Sequence, residues 1–304
     1  MRRKALLAAA IVLAVAASSE AKAGEDLYVT NYNGNTIGEY DAATGAAINT
    51  SLVSGLSGPV GIAVSGADLF VANSTAGTIG EYNASTGAAI NASLISGLNS
   101  PEGLAVSGSD IFVANLLGGT IGEYNATTGA AINASLVSGL SFPYGLAVSG
   151  PDLFVVNAAA GTIGEYATSG NTVNGTLVSG LSFPNGVAVS GSDLFVANFS
   201  ADAFGEYSTV NGSATNASLI SGQLGPFGVA VSGSNLFVTN VGANTIGEYN
   251  LSTGAMDSSF VSGLNGPAFI AIANPSSSVP EPASLSLLAA GALGLAAFRR
   301  RARG

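Results

Sequence analysis

The chain has 304 residues, a formal net charge of −10 and no Cys, His or Trp, and its eight basic residues all lie at its two ends. Arg2, Arg3, Lys4 and Lys22 stand at one end and Arg299, Arg300, Arg301 and Arg303 at the other, while residues 25–273 carry 16 of the 18 carboxylates. This body has no Ser-His-Asp triad, Cys nucleophile, Schiff-base Lys or His-ligated zinc site. It has no disulfide and no cation for phosphates, which disfavours nucleic acid partners.

In chain order, the first predicted element is a signal peptide over residues 1–23. Met1-Arg2-Arg3-Lys4 is a basic start, Ala5 to Ala17 an apolar run, and Ala21-Lys22-Ala23 an A-x-A cleavage site whose small residues are Ala21 and Ala23. Export machinery is therefore an expected partner.

From residue 24 to residue 274 one unit repeats. Asp-Leu-Phe-Val-Ala-Asn or a close variant begins at Asp26, Asp68, Asp110, Asp152, Asp193 and Asn235, spacings of 42, 42, 42, 41 and 42. Thr-Ile-Gly-Glu-Tyr follows, then Ala-Ile-Asn-Ala-Ser-Leu, then Pro-x-Gly-[Ile/Leu/Val]-Ala-Val, as at Pro59, Pro101, Pro143, Pro184 and Pro226, with a worn copy at Pro267. Each segment is short, β-branched or aromatic, and bounded by Gly, Asn, Ser or Pro, so each reads as a strand. Four strands repeated about every 42 residues predict a propeller blade, and six copies predict an all-β, six-bladed β-propeller.

The first unit lacks a Pro-x-Gly strand ahead of it. Pro267 to Ala273 supplies it and is expected to pair with Leu27 to Asn31, closing the ring and leaving no open edge. Pro-x-Gly, the smallest segment, is placed at the axis, followed outward by Asp-Leu-Phe, Ile-Gly-Glu-Tyr and Ile-Asn-Ala-Ser-Leu.

Within the repeat, Glu39, Glu81, Glu123, Glu165, Glu206 and Glu248 form a ring, expected at strand ends as solvated groups that bond turn amides. Oxygen ligands around them would also suit calcium, an alternative that the lack of competing Lys or Arg favours. The Asp that starts the second strand is expected to bond its own backbone, and the Asn that ends it to occupy a turn or left-handed conformation. The sequons at Asn83 and Asn125 read as turn composition.

The copies disagree at two places. The x of Pro-x-Gly is Val60, Glu102, Tyr144, Asn185, Phe227 and Ala268, and the loop after the second strand runs from Tyr32-Asn33 to Leu116-Leu117 and Phe199-Ser200. Both loops should emerge on one face, which would carry Tyr32, Leu116, Leu117, Phe142, Tyr144, Phe183, Phe199 and Phe227 with Glu102 and Asn185. Exposed aromatics beside an acid and an amide suit extracellular polysaccharide or another surface protein.

The run Pro101 to Asn115 and its equivalents resemble the NHL and gluconolactonase-like six-bladed propellers, over nearly all of residues 26–273. Those families carry Arg or His around the third strand, where Thr stands here. What the resemblance implies as an alternative activity is a calcium-dependent lactonase, with Glu102 and Asn185 as metal ligands and room for an Asp beside them.

After a linker at residues 275–278 come Val279-Pro280-Glu281-Pro282, sixteen apolar residues from Ala283 to Phe298, and the Arg tail. The apolar run is predicted to be a short transmembrane helix held tail-inward by the positive-inside rule. Residues 279–304 resemble the PEP-CTERM sorting signal. That resemblance implies a Gram-negative bacterium, recognition by an exosortase, processing near Pro280-Glu281-Pro282, and transient anchoring in the inner membrane before release to the cell surface or extracellular matrix. Two functions follow: a non-enzymatic binding or structural propeller without a cofactor, and the calcium-dependent hydrolase.

Overall fold

The computed structural model describes residues 24–273. The expected signal peptide, linker, membrane helix and sorting segment lie outside them, and no helix among the described residues is long and apolar enough to cross a membrane.

The described chain folds into six four-stranded antiparallel sheets. Blade 1 is assembled from both ends of the repeat region, in the order Pro267–Ala273, Asp26–Asn31, Thr36–Asp41, Ala47–Ser54. Blades 2 to 6 are continuous in sequence and begin with the inner strands Pro59–Ser65, Pro101–Ser107, Pro143–Ser149, Pro184–Ser190 and Pro226–Ser232. The six Pro-x-Gly strands touch one another in a closed ring, so they are innermost as expected. Their glycines make this possible: a Cβ on Gly61 would lie 2.1 Å from the Glu102 carbonyl oxygen, and one on Gly103 2.2 Å from that of Tyr144. Phe269 occupies the equivalent place in blade 1.

Strand periodicity explains where the core sits. Leu69 and Val71 of blade 2 pack on blade 1, while Phe70 and Ala72, pointing the other way, pack on blade 3. The second strand is therefore buried on both faces and reads as a continuous apolar run. The third strand divides its side chains likewise, with Ile79 toward blade 3 and Tyr82 toward blade 1. Gly80 is required because the Tyr82 ring folds back over it, 2.7 Å from where a Cβ would stand. The core is thus six layers between blades, and each fully buried Leu, Ile, Val or Phe contributes about 1.5–3 kcal/mol.

Closure follows the predicted pairing, with Leu27 opposite Ile272, Tyr28 opposite Ala271 and Val29 opposite Ile270. Thr30 reinforces it: its Oγ1 donates to the Val60 carbonyl at 2.6 Å and accepts the Phe269 N–H at 3.0 Å. On the far side of the same inner strand Thr239 accepts the Gly228 N–H at 2.7 Å and donates to the Ala268 carbonyl. Four blades have Ala or Val where these two Thr stand.

Three local expectations are corrected. The ring glutamates are not at strand ends: Glu81 is fourth in Thr78–Asn83, opposite Phe70 and Asn91. Glu39 is buried and accepts the Tyr28 hydroxyl at 3.2 Å instead of turn amides. Nor is the Asp that starts the second strand a turn cap. That task falls to the end of the third strand, where Asp41 Oδ1 accepts the Ala43 and Thr44 N–H groups at 3.0 and 2.8 Å, and Asn83, Asn125 and Asn250 do the same. The sequon asparagines are therefore turn residues, as their composition suggested. Finally, the Asn that ends the second strand is buried and is not left-handed; Asn73 and Asn198 accept the Ser57 and Ser182 N–H groups, fastening the loop ahead of the inner strand.

Candidate functional site

The loop before each inner strand and the loop after each second strand do share one face. They are stitched together by backbone bonds repeated around the ring, such as Ser74 N–H to the Gly58 carbonyl at 2.9 Å and Leu116 N–H to the Ser100 carbonyl at 3.0 Å. In every blade the residue before the proline has positive φ. In blades 1, 2 and 6 it is Gly266, Gly58 and Gly225; in blades 3, 4 and 5 it is Ser100 (φ 54°), Phe142 (53°) and Phe183 (49°).

This difference is coupled to the preceding blade. Asn35, Asp202 and Asn244 accept the N–H of Gly58, Gly225 and Gly266 at 2.9, 3.2 and 2.9 Å. Ahead of Ser100, Phe142 and Phe183 the corresponding residues are Gly77, Gly119 and Gly161, which have no side chain to offer. One half of the face is clamped and glycine-lined. The clamp residues Asn35, Asp202 and Asn244 are themselves left-handed, a conformation that Asn and Asp adopt more readily than most, whereas the other half holds a serine and two large aromatics there, at about 1–2 kcal/mol per residue. Such strain persists only where its surroundings impose it, and it clusters at ligand sites.

Over the inner ring lies a cavity of about 350 Å³, lined by Tyr32, Asn33, Val60, Ser74, Ser100, Glu102, Tyr144, Phe227, Val241, Gly266 and Ala268. Glu102 is the one carboxylate in that lining and is only 5 % exposed. The Ser74 and Ser100 hydroxyls both donate to its Oε1, at 2.8 and 3.1 Å, which leaves Oε2 with no protein donor among the described residues. Burial pushes the carboxyl up to about 7, with the two serines pulling against it. Tyr144 is also raised, by burial first and then by the Glu102 charge and Tyr32.

Two of the lining aromatics, Tyr144 and Phe227, belong to a chain of ring contacts that continues beyond the cavity. Phe227 meets Tyr144, Phe199 and Phe269 edge to face, with centroids at 5.7, 6.3 and 5.4 Å, an arrangement that stabilises each pair by about 0.5–1.5 kcal/mol beyond burial.

Of the residues expected on this face, Tyr32, Glu102, Tyr144 and Phe227 converge on the cavity. Leu117, Phe142 and Phe183 are exposed, and Leu116 and Phe199 half-buried. Asn185 is buried with an unpartnered Oδ1 and lies outside the cavity lining, so it does not join Glu102 there. Ser100, Gly266 and Phe269 were not singled out from the sequence. A weaker signal for the first two was present, since the residue before the proline also varies, being Gly in three copies, Phe in two and Ser in one.

Calcium takes six to eight oxygen ligands. Among the described residues no group of three or more His, Cys, Asp or Glu side chains is placed to hold a metal ion, and the cavity offers one carboxylate, already bonded to two serines. These residues do not fit a calcium cage.

Comparison with known proteins separates fold from destination. The propeller is similar to a chain in a crystal structure of a nidogen/laminin complex, with TM-score 0.71 and 18% identity over 83% of this chain and 99% of that one. It is also similar to a streptogramin B lyase (TM-score 0.62, 19% identity, 81% and 83% covered) and to a virginiamycin B lyase from Staphylococcus aureus (0.60, 20%, 80% and 84%). At these identities the likeness shows the fold alone. None of the curated proteins matches the chain. Residues 278–301 match the PEP-CTERM protein-sorting motif, which implies export, an exosortase-type system, and surface or extracellular localisation in bacteria. The chain is a six-bladed β-propeller that carries a C-terminal PEP-CTERM sorting motif.

Proposed function

We propose that this exported protein is a non-enzymatic binding module whose upper propeller face engages extracellular polysaccharide or another surface protein, after processing near Pro280-Glu281-Pro282 and transient anchoring in the inner membrane of a Gram-negative bacterium. One observation carries the reading: Tyr32, Tyr144, Phe227 and a single buried carboxylate converge on one cavity over the inner ring. A concave site that combines aromatic surface with convergent polar groups is the usual form of a ligand site.

The catalytic alternative lacks comparable support. One similar structure is a virginiamycin B lyase described as catalytically inactive after a histidine-to-alanine substitution, whereas this chain contains no His. Fold likeness does not transfer an activity.

Residues 24–273 hold the six four-stranded sheets and both partners of the closing pair, so the ring is closed within them. Immobilised, this unit should retain its host's extracellular polysaccharide or a surface protein; failure to retain any matrix material contradicts the proposal. A calcium-dependent lactonase activity abolished by Glu102→Gln would replace it with the hydrolase.

A further inference from the structure

We propose that the cavity takes a saccharide unit bearing a free ammonium group, a 2-amino-2-deoxyhexose that is not N-acetylated, with its nitrogen seated between the Glu102 carboxylate and the rings of Tyr32, Tyr144 and Phe227. The inference rests on reading the cavity as a binding site and names the chemistry of what enters it.

The first argument is the state of Glu102. A buried carboxylate ionises readily only when a cation or several donors compensate its lost hydration. Two serines meet Oε1, and among the described residues no donor meets Oε2. The domain cannot supply the cation, because residues 25–273 hold no Lys, Arg or His. A ligand can.

The second argument is the wall of the cavity. Aromatic faces attract an ammonium by about 0.5–1 kcal/mol when exposed and about 2 kcal/mol or more when desolvated, and three of the lining residues are aromatic. The third is long range: a body with 16 acids and no bases attracts cationic ligands and repels uronic acids and phosphates.

A saccharide fits better than a lysine side chain. Tyr32, Asn33, Ser74 and Ser100 place hydroxyl and amide groups around the carboxylate, where a sugar ring has hydroxyls to bond and an alkyl chain has none. The volume, about 350 Å³, lies at the small end of ligand pockets and suits one ring. Phe142 and Phe183, exposed by 47% and 41% on the strained half of the same face, offer stacking surface for neighbouring units.

The test is titration calorimetry of residues 24–273 at neutral pH with a glucosamine pentamer, its fully N-acetylated counterpart, a lysine-containing peptide of equal charge, and calcium chloride. The expected result is at least tenfold tighter binding of the glucosamine pentamer than of the acetylated one, with the difference abolished by Glu102→Gln. Tyr32→Leu, at an exposed position, gives a second arm that does not depend on the Glu102 substitution and should weaken the glucosamine pentamer at least threefold. Equal affinity for the two pentamers overturns the ammonium inference while leaving a neutral-glycan site intact. A preference that survives in Glu102→Gln also overturns it, because general attraction to the remaining carboxylates would then account for it. Tighter binding of the peptide, displacement by calcium, or an unaffected Tyr32→Leu would each overturn it as well. If no probe binds and no matrix material is retained, the binding function itself fails.

Discussion

Replacing Glu102 with Gln should stabilise the propeller, and only above mildly acidic pH. In the unfolded chain this carboxyl titrates near 4.5, and in the folded cavity burial raises it to about 7. A raised folded value means that the folded state holds the proton more tightly. The resulting stability is fully present below about pH 4.5 and is lost as the pH rises through about 7. At 1.36 kcal/mol per unit, the loss is on the order of 3 kcal/mol by pH 8. Gln is an uncharged isostere whose Oε1 still accepts from Ser74 and Ser100, so the variant avoids it. For a domain of this size 1 kcal/mol moves Tm by about 2–4 °C, so Glu102→Gln should melt roughly 6–12 °C above wild type at pH 8 and close to it at pH 4. Glu39, Glu81, Glu123, Glu165, Glu206 and Glu248 are also raised, chiefly by burial, so both proteins lose stability as pH rises. The difference between the two melting curves isolates Glu102. Thermal scans by circular dichroism across that range decide the matter: a difference that does not change with pH would refute the account of this carboxyl.

Other outcomes follow from the same geometry. Gly61→Ala forces a Cβ to 2.1 Å from the Glu102 carbonyl oxygen, and because backbone must yield, it should cost about 1–3 kcal/mol, read as a lower Tm. Deleting residues 267–273 leaves the Asp26–Asn31 strand as an unpaired edge and opens the inner ring; size exclusion should show larger species than the intact protein gives, and a cooperatively folded product of unchanged association state would contradict the closure. Mass spectrometry of protein extracted from the cell surface should find a C-terminus near Pro280-Glu281-Pro282, whereas an intact Arg299–Arg303 tail would contradict processing there.

The fold was legible because each repeat states it again: six copies of a doubly buried second strand, a Gly that lets a Tyr fold back, and a Pro-x-Gly small enough for the axis. The closing strand could be read from a missing first copy. The site was legible only in part. Variation at x located Glu102, Tyr144 and Phe227, but sequence spacing gave no measure of depth, so Asn185, at an equivalent position, was grouped with a cavity that it does not line. The roles of Asp68 and Asn73, which start and end a second strand, were misplaced for a related reason. A short polar residue beside a turn can bond its own loop, a neighbouring loop or nothing, and the choice is set by packing between blades. The pairing of Asn35 with Gly58 against Gly77 with Ser100 was visible in the chain, yet acquires meaning only once consecutive blades are seen to touch there.

The central claim is that the face over the inner ring binds extracellular material, and its most direct test is retention on immobilised host polysaccharide of residues 24–273 as wild type and as Tyr32→Ala. Tyr32 lines the cavity and is 45% exposed, so its loss should weaken retention without lowering Tm. Wild type is expected to bind and Tyr32→Ala to elute at a markedly lower concentration of free polysaccharide. Equal retention of the two proteins, or passage of both through the column, would contradict the claim.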